Sequence, residues 1–180
     1  LPTPTRTGYT FLGWFTSKTG GTQVNSSTKV TNGKNHTLYA QWSASSSSVI
    51  YNANGGSVSP SSKSVTYGGT YGTLPTPTRT GHKFLGWFTS ATGGTQVTPS
   101  TKVTTTETHT IYAHWQADTY TVTYDANGGS VSPSSKNVTY GGTYGTLAKP
   151  SRTGYDFAGW YTAASGGTKV TSSTKVTATS

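Results

Sequence analysis

Acid–base or metal chemistry in this chain would fall to four carboxylates, Glu107, Asp118, Asp125 and Asp156, and four imidazoles, His36, His82, His109 and His114. The chain has 180 residues and no cysteine, so thiolate nucleophiles, thiolate metal sites and disulfides are excluded. A catalytic pair needs an acid and a base held within reach of one substrate. A calcium site needs six to eight oxygens, and the single carboxylate of the loop Asp125-Ala126-Asn127-Gly128-Gly129 falls far short of that.

The chain supplies its own control for such sites. Trp14, Trp87 and Trp160 stand 73 residues apart, and the register holds around them without a gap. RTGYTFLGWFTSKTGGTQV from Arg6 recurs as RTGHKFLGWFTSATGGTQV from Arg79 and as RTGYDFAGWYTAASGGTKV from Arg152. VIYNANGGSVSPSSKSVTYGGTYGTL from Val49 recurs from Val122, and HTLYAQW from His36 recurs as HTIYAHW from His109. No carboxylate is kept across copies: Glu107 corresponds to Lys34, Asp118 to Ser45, Asp125 to Asn52, and Asp156 to Lys83 and Thr10. His36 and His109 do recur, but His114 corresponds to Gln41, and residues 109 and 114 fall on opposite faces of one expected strand. Repeated catalysis, a metal and a bound cofactor are therefore not expected, and the histidines read as structural or solvated.

A period this long exceeds the ~20–50 residues of most solenoids, so each unit is expected to fold as its own bead. The phasing gives residues 1–44 as the C-terminal part of a first repeat, 45–117 as a complete repeat, and 118–180 as a third repeat short of its last strand. The expected boundaries are the polar spacers Ser43–Ser48 and Gln116–Thr119. By this reading the chain opens in mid-unit and stops before the strand equivalent to His109–Trp115.

Within a unit, Tyr120, Val122 and Tyr124 alternate with threonines, the period of a half-buried strand. Asn127-Gly128-Gly129 supplies the turn of a hairpin whose partner is KNVTY, with Val138 and Tyr140 inward. The prolines of PTPTRTG from Pro75 force an irregular crossover. FLGWFT from Phe84 reads as a strand with Phe84, Gly86 and Phe88 on one face and Leu85 and Trp87 on the other. The closing strand places Ile111, Ala113 and Trp115 one way and Tyr112 and His114 the other. A helical turn at TYGTL, from Thr143, is the one helix candidate. The fold class is mainly β, α+β at most. Hydrophobic residues make up 30% of the chain, or about 36% with glycine counted in place of tyrosine, short of the ~45–50% usual for that set in globular domains, so the tryptophans of each unit, Trp87 and Trp115 and their equivalents, are expected to build its core.

Lys+Arg number 13 against 4 Asp+Glu, a formal charge of +9. The excess sits at recurring single positions, Arg6, Arg79 and Arg152, Lys29, Lys102 and Lys175, with Lys63 and Lys136. One of each per bead makes a mildly positive face able to attract an anionic cell-wall polymer, glycan or head group. Tyr39, Tyr112, Tyr71 and Tyr144 are the aromatic candidates for the same contact surface. No helix-turn-helix, zinc or aromatic-sheet signature accompanies the charge, so nucleic acid is not an expected partner. No run of apolar residues is long enough for a transmembrane segment, and no signal peptide is seen, so an export signal is expected outside these residues. Leu1-Pro-Thr-Pro-Thr and Leu74-Pro-Thr-Pro-Thr resemble a wall-sorting signal without its final glycine and read as the crossover. Sequons at Asn25, Asn35 and Asn137 matter only in a glycosylating pathway.

The string DANGG, VTYG, LPTPTRTGY, F-x-GW[FY] and a closing YAQW resembles the Listeria–Bacteroides repeat family, the B-repeat type found in internalin. Departures are His82 where Tyr9 and Tyr155 stand, Asn52 for Asp125, and Ala148-Lys149 for Pro75-Thr76. The resemblance implies tandem small β-grasp (ubiquitin-like) beads of about 73 residues, without enzymatic activity, in an extracellular or wall-attached protein of the bacterial cell surface. The expected function is a stalk, spacer or filament-forming unit whose partners are neighbouring repeats or identical chains. The alternative is an adhesin-type module for anionic glycan, cell-wall polymer or a host receptor, with avidity from repetition. The ragged ends are expected to mark one piece of a longer array; the alternative is that the incomplete third unit accepts a strand from a neighbouring chain.

Overall fold

The computed structural model describes residues 1–177, and they are all β and irregular chain with no helix among them. Twelve strands follow in order: β1 (Tyr9–Phe15), β2 (Gln23–Val24), β3 (Tyr39–Ala44), β4 (Ser46–Asn52), β5 (Ser62–Thr66), β6 (His82–Phe88), β7 (Gln96–Val97), β8 (His109–Ala117), β9 (Thr119–Thr123), β10 (Ser135–Thr139), β11 (Trp160–Tyr161) and β12 (Lys169–Val170). They form open sheets of order β2-β1-β3, β5-β4-β8-β6-β7, β10-β9 and β11-β12. The mainly β reading holds.

The chain divides into two compact units. One comprises residues 1–54, 58–76 and 86–113; the other comprises 55–57, 77–85 and 114–180. In the first, Val49, Tyr51, Val65, Tyr71, Trp87, Val97, Val103, Ile111 and Ala113 make the core. β4 takes β5 antiparallel on one side, Val49 facing Lys63, and β8 parallel on the other, Val49 facing His109 and Tyr51 facing Ile111. In the second, β9 and β10 pair with Val138 opposite Tyr120, as expected of the hairpin, and Tyr124, Val138 and Val176 are the buried apolar residues.

Four details correct the sequence reading. TYGTL is not helical, because its backbone is spent elsewhere. Tyr144 N–H donates to Thr174 O (3.0 Å), Gly145 N–H donates to Ser172 O (2.8 Å), and Gly145 adopts φ +62°. Next, Leu85 and Trp87 do not share a face: Trp87 is 2% exposed and Leu85 47%. In β1 the pairing with β3 slips between Phe11 and Gly13, so Leu12 is a bulged residue and Phe11 and Trp14 come to one side, 5.8 Å apart. Gly13 and Gly86 take φ +133° and +139°, where side chains are strained, and so supply the same kink in both copies. Trp115, expected in the core, is only half-buried and lies on Phe84 with ring centroids 5.5 Å apart.

The fourth concerns the polar spacers: Ser43–Ser48 and Gln116–Thr119 are strand but for one residue each. β3 and β4 are separated by Ser45 alone, and β8 and β9 by Asp118 alone. Serine and threonine accept extended backbone, and both connecting residues have their backbone groups hydrogen-bonded.

Candidate functional site

The recurring cations were expected to line a ligand surface, and the structure gives several of them structural work. Lys63 Nζ donates to Tyr71 O (2.8 Å) and Thr73 O (3.1 Å); Lys136 Nζ donates to Tyr144 O (2.6 Å) and Thr146 O (2.8 Å). Each ammonium thus holds the carbonyls of the TYGTL loop, a further reason that segment is not a helix. Arg6 stacks over the Tyr9 ring (3.7 Å to its centre), and Arg152 over Tyr155 (4.0 Å) while donating to Asn127 O (3.0 Å). Arg79 lies against Gly55. Lys29, Lys102 and Lys175 are exposed, the last two on backbone that bridges to Thr70 and Thr143.

Tyr71, taken as a surface candidate, is instead buried, and its hydroxyl hydrogen-bonds His109 Nε2 at 2.6 Å. His109 Nδ1 lies 3.0 Å from Glu107 O, which can only accept, so Nδ1–H donates to it and Nε2 is left for the tyrosine hydroxyl. Both ring nitrogens are committed to the fold. Burial raises the Tyr71 hydroxyl above its ordinary pKa of 10.0, and the Tyr51 hydroxyl is raised by burial and then by Tyr71. Tyr39, Tyr112 and Tyr144 are half-buried. Among the described residues no three His, Asp or Glu side chains come together as a metal cluster.

What does recur, residue for residue, is the contact between successive repeats. At the first boundary Gly8 has φ +78° and sits on the ring of Tyr67, where a Cβ would overlap the ring. Ser45 N–H donates to Gly8 O (2.9 Å), and Tyr67 N–H donates to Ser45 O (2.9 Å). Tyr9 meets Tyr67 edge to face, ring centres 6.0 Å apart at 83°. At the second boundary Gly81, φ +66°, sits in the same way on Tyr140. Asp118 N–H donates to Gly81 O (2.8 Å), Tyr140 N–H donates to Asp118 O (2.9 Å), and His82 replaces Tyr9 at 5.7 Å and 78°. Each joint lies within one of the two compact units, so each is a packed part of it.

The second joint carries an added polar group. Tyr120 Oη donates to the Asp118 carboxylate at 3.3 Å, and its hydroxyl pKa is raised, by desolvation first and the Asp118 charge second. In the sequence the strings RTG[YH] and VTYGG both stand out, but the glycine reads as part of the irregular crossover and the tyrosine as part of a strand. Their signal was the invariable company they keep across copies: a glycine before an aromatic ring, and a tyrosine 59 residues later (Gly8 and Tyr67; Gly81 and Tyr140).

Comparison with known proteins places the chain among repeat proteins. The profile of the Listeria-Bacteroides repeat domain matches three times, over residues 1–41, 48–114 and 120–180. A protein named as a Gly-rich membrane protein of Evansella cellulosilytica is 32% identical over 161 residues, 86% of this chain and 18% of the relative. Internalin H of Listeria monocytogenes is 38% identical over 93 residues, 52% of this chain and 16% of the relative. Another Evansella cellulosilytica protein, named as a membrane protein, is 30% identical over 165 residues, 88% of this chain and 24% of the relative. The chain thus spans about a fifth of the length of these relatives. No solved structure matches at a significant level.

Proposed function

From the premise that this chain belongs to the Listeria-Bacteroides repeat family, we propose that it is a non-catalytic spacer of a bacterial cell-surface protein. In this reading successive β-grasp beads pack on one another to project or space other domains. The carrying observation is the joint: two successive boundaries are built from the same glycine on the same tyrosine, with one connecting residue and the same pair of backbone hydrogen bonds. Beads on flexible linkers need no such contact. A spacer needs length and stiffness, and a repeated packed joint supplies stiffness without a unique site.

The cationic residues support the same reading over a glycan- or receptor-binding module, because Arg6, Arg152, Lys63 and Lys136 serve their own repeat. The surface location rests on relatives named as membrane proteins and as an internalin. The test is X-ray scattering on the chain and on versions lengthened by one and two further copies of residues 45–117. A stiff spacer gains about 30 Å in maximum dimension per copy, from the size of a bead of this length. Growth with the square root of repeat number, as for a flexible string, would refute it.

A further inference from the structure

Asparagine precedes glycine three times, at Asn32-Gly33, Asn54-Gly55 and Asn127-Gly128. In this dipeptide the second residue has no Cβ to shield its backbone nitrogen, which can therefore reach the side-chain amide carbon of the first. The fold treats the three sites differently. Asn54 is left-handed (φ +47°), and its Nδ2 donates to Ala91 O and to Ala113 O of β8, both at 3.1 Å, so both amide hydrogens are held. Asn127 keeps the same turn (φ +46°), with Arg152 Nη1 donating to its backbone carbonyl at 3.0 Å. Asn32 and Gly33 are instead exposed, in irregular chain between β2 and β3. Gly33 is not left-handed, and a Cβ on it would meet nothing within 4 Å. Lys34 N–H donates to Asn32 Oδ1 (3.0 Å), which folds the side chain back over the peptide that follows it. The second repeat places the counterparts in the same way. There Val103 is bonded through its backbone to Gly68 and Gly69, Thr105 and Thr106 follow it in irregular chain with Thr106 exposed, and Glu107 N–H donates to Thr105 Oγ1 (3.0 Å).

We propose that Asn32-Gly33 is a self-modification site, at which the folded chain converts its own asparagine to aspartate and isoaspartate without an enzyme. The Gly33 backbone nitrogen gives its proton to solvent and attacks the side-chain carbonyl carbon of Asn32, forming the new C–N bond. Lys34 N–H, already on that carbonyl oxygen, stabilises the negative charge that develops there. The bond from that carbon to Nδ2 then breaks, and the nitrogen takes a proton from water and leaves as ammonia, closing a five-membered succinimide. Water adds to either carbonyl carbon of the ring and reopens it, to aspartate or to isoaspartate, in which the main chain runs through the former side chain. The balance is one water consumed and one ammonia released. Each event adds a negative charge and takes the formal net charge from +9 to +8. At Asn54 the same attack must first free an amide held by two carbonyls, so the fold protects that copy of the dipeptide. The reactive loop contributes none of the glycine or tyrosine residues of the joints, so a spacer can age at Asn32 with its joints unchanged. The proposal goes beyond the spacer reading, which requires no covalent change.

The test uses the full chain, held folded in mildly alkaline buffer, sampled over time, digested with trypsin and read by tandem mass spectrometry. Cleavage after Lys29 and Lys34 releases Val30–Lys34, which contains Asn32 as its one asparagine. Expected is the amide-to-acid mass change at Asn32, as both aspartate and isoaspartate, about tenfold faster than at Asn54, the rate equivalent of freeing two ordinary hydrogen bonds. In urea that unfolds the chain the two sites should convert at equal rates. A Gly33→Val variant, whose side chain has room in the folded loop, should slow conversion at Asn32 severalfold by shielding the attacking nitrogen and leave Asn54 unchanged. Equal rates at Asn32 and Asn54 in the folded chain, or a difference that survives unfolding, would overturn the proposal. So would aspartate without isoaspartate, since direct hydrolysis would then be the route, or a Gly33→Val chain that reacts as fast as wild type. The readout is the mass of one residue, so it stands or fails independently of the scattering test of the spacer.

Discussion

Gly81→Ala isolates the energy of a joint, because the third repeat contains the same glycine without the contact. Gly81 (φ +66°) and Gly154 (φ +77°) occupy the same left-handed conformation. A Cβ on Gly154 meets nothing within 4 Å, whereas one on Gly81 overlaps the Tyr140 ring. Alanine at either position costs about 1–2 kcal/mol for the left-handed backbone. At Gly81 the ring must also move, which adds about 1–3 kcal/mol as in other overpacked sites. Gly154→Ala should therefore lose about 1–2 kcal/mol and Gly81→Ala about 2–5 kcal/mol. Urea unfolding followed by tryptophan fluorescence resolves this, since an excess of about 1–3 kcal/mol is about 0.5–1.5 M in midpoint at a slope of about 2 kcal/mol/M. In a Tyr140→Ala background the excess at Gly81 should vanish, leaving only the backbone cost. Equal losses for Gly81→Ala and Gly154→Ala, or an excess that survives Tyr140→Ala, would refute the joint as a packed contact.

Lys136→Met should cost about 1.5–3 kcal/mol, the worth of hydrogen bonds from a charged donor, because the carbonyls of Tyr144 and Thr146 lose their ammonium; the unfolding midpoint reads it. Trp87→Ala should cost about 3–5 kcal/mol, while Leu85→Ala should fall within about 0.5 kcal/mol of wild type as an exposed residue; similar losses would contradict the bulge. Tyr51 Oη is buried without a hydrogen-bond partner, so Tyr51→Phe should be neutral or stabilising at pH 7. Stability should fall as pH rises past about 10: Tyr51, Tyr71 and Tyr120 have folded-state pKa values raised above 10.0, so the unfolded chain ionises first. Their contribution is complete below that pH, and Tyr51→Phe should flatten the loss in urea titrations at alkaline pH.

The repeat, the hairpin of β9 and β10 and the inward face of β8 were legible because each is a local pattern. Period-2 alternation in YTVTY and TIYAHW survives folding, since one face meets a core and the other does not. The FLGWF strand was misread because a bulge breaks that period from within. A glycine at φ near +135° lets one extra residue in, and alternation assigns every later side chain to the wrong face. TYGTL was misread because its conformation is set from a distance, by an ammonium eight and ten residues upstream and by chain near Thr174. Arg6, Arg152, Lys63 and Lys136 looked like free charge because a sequence shows the sign of a side chain and not the ring or carbonyl it reaches.

The joint was hidden for a related reason. Its members are a turn glycine and a strand tyrosine 59 residues apart, each with a sufficient local explanation, and only their superposition across the boundary gives them a shared one. Internal repetition converts that superposition into an experiment already performed by the chain. Gly8 and Gly81 each rest on a tyrosine, Gly154 rests on nothing, and Tyr155 beside it is exposed where Tyr9 and His82 each pack on a ring. The backbone at Gly154 holds its left-handed turn without the contact, so the turn does not require the joint. The left-handed glycine is thus common to all three repeats, with the tyrosine contact at Gly8 and Gly81.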